Sequence, residues 1–175
     1  MFNFEVSESN LRYIDFNHLL SQLESMADID VRIGYIGDIN ERIIETENVD
    51  NLNNATLAYL HENGSPVRRI PRRPFLGPLF DKNKDNAVSL IAKGLSEVLR
   101  QDRPNAQMYI PIFEKVGMFL RDRAKDWIVQ QKFNKPLSYR TLEAREAKGF
   151  KGEKALIETG QLLNGITYKV DFSEI

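Results

Sequence analysis

The sequence predicts an α+β fold: long helices packed on a small, mostly antiparallel sheet, with an extended Pro/Arg-rich arm and a long polar loop. Three observations predict it. Apolar residues recur at helical spacing over three long windows, 11–26, 81–100 and 112–128. Strand-like alternation is confined to two short stretches, around Val31 and from Ile166 to Val170. Strands so few do not alternate with helices often enough for a doubly wound parallel sheet. At 175 residues the chain reads as a single domain, 1–175.

Each element follows from its residues. Leu11, Ile14, Leu19, Leu20, Leu23 and Met26 mark one face of a first helix, with Ser7 or Ser9 as its cap. Asp28 and Asp30 break that pattern, and Val31, Ile33 and Tyr35 then alternate as a strand ending at Gly37. Residues 38–54 are rich in Asn, Glu and Asp and read as a long, mobile loop. Asn54 suits the cap of a short helix through His61, which Asn63-Gly64 stops. Residues 65–76 form the arm: three prolines fix or extend the backbone, so the stretch cannot be helix. The window from Asp81 to Arg100 is the next helix, and Asp102–Asn105 is a turn. Ile112 to Ile128 marks the longest helix, with Pro111 in its first turn. Ser138 is placed to cap a short helix reaching about Lys148, and Gly149–Lys154 reads as a flexible basic link. A polar turn, Glu158-Thr159-Gly160-Gln161, then precedes a last strand with Ile166, Tyr168 and Val170 facing in.

Composition excludes several classes. A hydrophobic fraction of 42% supports a core, and a net charge of −1 gives no global attraction to a polyanion. With no cysteine, disulfides and thiolate metal sites are excluded, and His18 and His61 are too few for an all-histidine site. The first ten residues lack the basic start and apolar run of a signal peptide, and no apolar segment approaches membrane-spanning length.

Three stretches carry a more specific signal. Asn54–Phe80 reads NATLAYLHENGSPVRRIPRRPFLGPLF, Lys135–Gly149 reads KPLSYRTLEAREAKG, and Leu156–Val170 reads LIETGQLLNGITYKV. They resemble, in that order, three elements of the phage virion morphogenesis family, the tail-completion and neck proteins of tailed phages, Mu-like prophage types included. Those elements are an alanine-rich helix with His-Glu-x-Gly and Ile-Pro-x-Arg-Pro-Phe-Leu, then Pro-Leu-Ser-x-x-Thr-Leu, then Leu-Ile-Asp-Thr-Gly-x-Leu-x-x-Ser-Ile-Thr-Tyr-x-Val. This chain departs at Glu158, where aspartate is usual, and at Gly165, where serine is usual. On the matching positions the resemblance picks out His61, Gly64, Pro71, Pro74, Ser138, Thr159, Gly160 and Leu162 as structural positions. It implies a non-enzymatic structural protein of virion assembly, in tail completion or head–tail joining. It implies a homo-oligomeric ring, a hexamer being one candidate, that meets the tail tube and the neck or head–tail connector proteins. DNA would be passing cargo only, the membrane would play no part, and no cofactor is implied. The location would be the virion, and the host bacterial cytoplasm during assembly.

The same residues admit readings of their own. His61-Glu62 suggests zinc or acid/base chemistry, but a metalloprotease helix needs His-Glu-x-x-His and here Asn63-Gly64-Ser65 ends the helix. The plainer reading places His61 at a helix C-terminus, beside the last carbonyls. Arg68, Arg69, Arg72 and Arg73 put four guanidiniums within six positions. They suit carboxylates on a neighbouring subunit or partner, or phosphates, which makes a small nucleic-acid-binding module the alternative function. Phe75 serves either as an arm tip in a neighbour's groove or as an anchor in its own core. Phe113, Phe119 and Trp127 form an aromatic stripe expected in the core. The charges from Arg121 to Asp126 form a solvated face or ring contacts. No nucleophile–base pair is identifiable, so no catalytic, cofactor-binding or metal residue is assigned.

Overall fold

A computed structural model describes residues 29–37, 53–101, 105–133 and 135–172. The helix expected over 11–26, and residues 38–52 of the loop expected over 38–54, lie outside the described residues. Within them the order is β1 (Ile29–Gly34), α1 (Asn54–Asn63), α2 (Gly77–Leu99), a 3₁₀ turn (Ala106–Met108), α3 (Ile110–Val129), α4 (Tyr139–Ala147), the one-turn α5 (Gln161–Asn164) and β2 (Thr167–Phe172). The fold is α+β, with helices on a small antiparallel sheet.

β1 and β2 come from opposite ends of the described chain and pair antiparallel. The pairs Val31↔Val170 and Ile33↔Tyr168 put apolar side chains on one face, and Arg32↔Lys169 and Asp30↔Asp171 put charges on the other. Like charges directly opposite repel. The repulsion is offset because Asp171 pairs with Lys169 and, at 2.8 Å, with Arg32 Nη2. The Lys169 hydrogen bond is the chief reason the Asp171 carboxyl sits below the usual carboxylate range, with the Arg32 charge adding to it.

α3 packs across both strands and against α2. Its approach to the sheet depends on Gly117: a Cβ there would lie 2.3 Å from Cδ2 of the Tyr168 ring. The main core gathers Ala58 of α1, Phe75, Leu79 of α2, Ala124, Trp127 and Ile128 of α3, and Ala155, Leu156, Leu162 and Ile166. A second cluster of Val98, Tyr109 and Ile112 closes the other end, with Ile29, Leu95, Met108 and Phe113 against it. Each fully buried large side chain contributes about 1.5–3 kcal/mol by leaving water.

Several expectations need correction. The cap of α1 is Asn53, whose side chain accepts from the Thr56 amide at 2.8 Å; Asn54 is the first helical residue and is buried. The longest helix is α2, at 23 residues, and α3 has 20. α2 starts at Gly77, earlier than its apolar periodicity, for a reason that lies in α1 and is described below. Of the aromatic stripe, Trp127 is buried while Phe113 and Phe119 are half-buried. Ser138 caps α4 as expected, accepting from the Thr141 amide.

Candidate functional site

The chain between α1 and α2 is a tight knot. Asn63 ends α1, and Gly64 follows with φ 77° and ψ 168°, a combination open essentially to glycine. A Cβ there would also lie 3.1 Å from the Arg72 amide nitrogen. Ser65 and Ile70 then exchange two backbone hydrogen bonds, each 2.9 Å, and close a turn. So residues 65–70 are not extended; the arm folds back on itself, and its remainder from Pro71 returns along α1. There the Arg73 amide donates to the His61 carbonyl at 2.7 Å, and Arg72 Nε donates to the Glu62 carbonyl at 2.9 Å.

Glu62 completes the knot. Its Oε2 accepts from the Phe75 and Leu76 amides at 2.8 and 3.0 Å, and its Oε1 from the Gly77 amide at 2.9 Å. These are donors at the start of α2, whose own N-cap, Leu76, has no side chain able to accept. A carboxylate at a helix N-terminus is favoured by both hydrogen bonding and the helix dipole. This explains the early start of α2: the cap comes from the preceding helix. Glu62 was missed as a site residue from sequence; the signal available was a helix opening on Gly77-Pro78 with no Ser, Thr, Asp or Asn before it.

Two buried arginines link this knot to the rest of the C-terminal half. Arg73, 5% exposed, donates from Nε to the Lys135 carbonyl at 3.0 Å and from Nη2 to the Pro136 carbonyl at 2.9 Å. Arg145 of α4, 6% exposed, donates from Nη1 to the carbonyls of Gly152 and Lys154 at 2.9 Å and of Ile157 at 3.4 Å. Its Nε lies 3.7 Å from Glu158. Burial, and secondarily the positive charge of Arg145, makes Arg73 a weaker base than an ordinary arginine. The basic link 149–154 is therefore held by its carbonyls rather than free. Gln131 fixes the next residue: its Oε1 accepts from the Ala155 amide at 2.6 Å, and its Nε2 donates to the Ala155 carbonyl at 2.9 Å.

The last turn is built as its residues suggest. Gly160 takes φ 78°, and Thr159 Oγ1 accepts from the Gln161 amide at 3.4 Å. One turn of helix, α5, then puts Leu162 in the core. Tyr35 donates from its hydroxyl to the Leu162 carbonyl at 2.7 Å. Its ring would lie 3.2 Å from a Cβ on Gly165, which gives a steric reason for glycine at that position in this chain.

Of the four arm arginines, Arg68, Arg69 and Arg72 are exposed, whereas Arg73 is committed to its own chain. Phe75 has no exposed surface and belongs to the main core. Both are thus corrected as contact residues: the arm is anchored through them, and its outward chemistry is confined to residues 66–72. Pro71 and Pro74 are half-buried on the return segment. A shallow groove of about 520 Å³ between α2 and α3 is lined by Asn83, Asn86, Ser89, Leu90, Lys93, Phe119 and Arg123. Among the described residues no three His, Asp or Glu side chains gather as a metal site, and no helix is long and apolar enough to cross a membrane. No family model, curated protein sequence or solved structure matches the chain.

Proposed function

We propose that this chain is a non-enzymatic structural protein of phage or prophage virion assembly, acting in tail completion or head–tail joining as an oligomeric ring. The observation that carries the reading is the way the three stretches of family resemblance meet. Arg73, on the Ile-Pro-x-Arg-Pro-Phe-Leu element, holds the carbonyls of Lys135 and Pro136 at the start of the second. Arg145, in the second, holds the Ile157 carbonyl and faces Glu158 in the third. Stretches that resemble one family in order along the sequence are one unit in space, as inherited elements of a common scaffold would be.

Under this reading the chain works by burying matched patches between subunits, with charge complementarity setting register. The alternative, a small nucleic-acid-binding module, draws on the exposed Arg68, Arg69 and Arg72. It loses Arg73, which has no free face for a phosphate array. The test is a phage or prophage particle made without this chain. Unjoined heads and incomplete tails in electron micrographs are expected, with the chain present by mass spectrometry in intact particles. Normal particles in its absence would overturn the reading.

A further inference from the structure

We propose that the groove between α2 and α3 binds a single strand of nucleic acid; the proposal goes beyond the assembly reading, stands independently of it and uses none of the arm arginines. Residue spacing builds the groove. Lys82, Asn86, Ser89 and Lys93 follow at steps of four, three and four, so they share one face of α2. Phe119, Arg123 and Trp127 follow at steps of four on α3. Lys82 meets Trp127 near the start of α2, and a Cβ on Gly94 near its end would meet Ile112. The two helices therefore run antiparallel, and the two rows border one groove.

The groove presents cations and no carboxylate. Among the residues lining it, Lys93 and Arg123 are charged, and none is acidic. Aromatic faces hold the cations in place. Arg123 lies 5.5 Å from the centroid of Phe119. At the Trp127 end of the same seam, Lys82 and Lys132 lie 4.7 and 5.3 Å from the indole centroid. Arg123 also meets Asp126 at 3.4 Å, but both side chains are half exposed, so water screens the pair and leaves it weak. Asp122 is taken up by Arg121 at 2.7 Å. From Lys82 to Lys93 the helix advances about 16 Å, so the cations form a row rather than a pocket for one anion.

Shape selects a strand as the occupant. Ligands of metabolite size bind where most of their surface is enclosed, and a shallow groove of about 520 Å³ covers one side only. A strand lying along the seam needs no more than that side. Its phosphodiesters carry negative charge at regular intervals for the cations. Its bases have flat faces for the guanidinium of Arg123 on the ring of Phe119, since unpaired bases stack on both kinds of plane. In a duplex those faces are already stacked on one another, which favours the single strand. Among the described residues lysine and arginine outnumber aspartate and glutamate, so the net charge of −1 for the whole chain understates the attraction of this body for a polyanion.

The test is fluorescence anisotropy of the full chain with a short labelled single strand of DNA, over a range of salt. Binding that weakens with salt is expected. Lys93→Gln/Arg123→Gln should raise the Kd by about tenfold or more and lower the steepness of log Kd against log salt by about 1. The variant should keep the wild-type circular dichroism and melting curve; should it melt early, Lys93→Glu alone, at an exposed position, carries the test. A wild type that fails to bind the strand at low salt overturns the proposal, as does a variant that binds as tightly as wild type. Duplex DNA of the same sequence bound as tightly as the strand overturns the single-strand assignment. A mononucleotide that displaces the strand at a comparable concentration overturns the strand in favour of a small ligand. Loss of binding on Arg68→Gln/Arg69→Asn, with the groove variant unaffected, moves the contact to the arm and overturns the groove. The assembly reading is decided separately, by the particle experiment.

Discussion

Glu62 shows how one side chain sets the geometry of a joint. Its two carboxylate oxygens take three amides that open α2, and nothing else in the first turn of that helix replaces them. Glu62→Ala leaves those amides to water and is expected to lower stability by about 2 kcal/mol. Glu62→Gln is expected to recover only part of that, because its NH₂ group would face an N–H donor. Urea unfolding followed by circular dichroism checks both, and equal midpoints for wild type and Glu62→Ala would dismiss the cap. At this scale the sequence was legible where a residue acts on its neighbours. Ser138, Thr159 and Gly160 do what their types suggest. It was not legible where a side chain reaches across the fold. Arg73 looks like one more surface arginine, and only the return of Lys135 and Pro136 past it makes it a buried donor.

Elements were legible where burial imposes a period. The two strands and the helices through Leu90 and Val116 are visible in the spacing of their apolar residues, because each buries one face. Their starts were less so, since the cap of α2 lies in another element and α5 is a single turn holding two leucines between Gly160 and Gly165. How closely elements approach was not visible at all, and Gly117 is the case in point. A Cβ at that position meets the Tyr168 ring, so Gly117→Ala must push α3 off β2 or displace the tyrosine. A loss of about 1–3 kcal/mol is expected, despite the better helix propensity of alanine, and the melting temperature checks it. The strand pair also carries a pH dependence. Asp171 has its pKa depressed in the fold, first by Lys169 and then by Arg32. Its contribution is therefore present above the ordinary carboxylate pKa and is lost as pH falls through the lower, folded one. Asp171→Asn should flatten the stability profile below about pH 4 and leave its shape at neutral pH unchanged; an unaltered acid limb would remove the carboxylate from the account.

For the molecule as a whole, the question is whether the knot at Glu62, the segment before α4 and the last turn act as one body. Arg73 and Arg145 are the two fasteners, each buried and each bonded to carbonyls of a different segment. Removing either leaves desolvated carbonyls, so Arg73→Met and Arg145→Met are each expected to lose about 2–4 kcal/mol. The two losses should not add. Each deletion loosens chain that the other needs: Lys135 and Pro136 lead into α4, which carries Arg145. The double variant is expected to fall short of the summed losses by about 1 kcal/mol. Denaturant unfolding of the four proteins closes the cycle. Additivity within about 0.5 kcal/mol would mean that the fasteners act on separate bodies. The three resembling stretches would then be neighbours without coupling, and the argument that they form one inherited scaffold would lose its physical basis. Subadditivity would give that scaffold an energetic reality, and would explain why its outward chemistry is left to the short turn beyond Gly64 while the neighbouring arginine and phenylalanine are drawn inside.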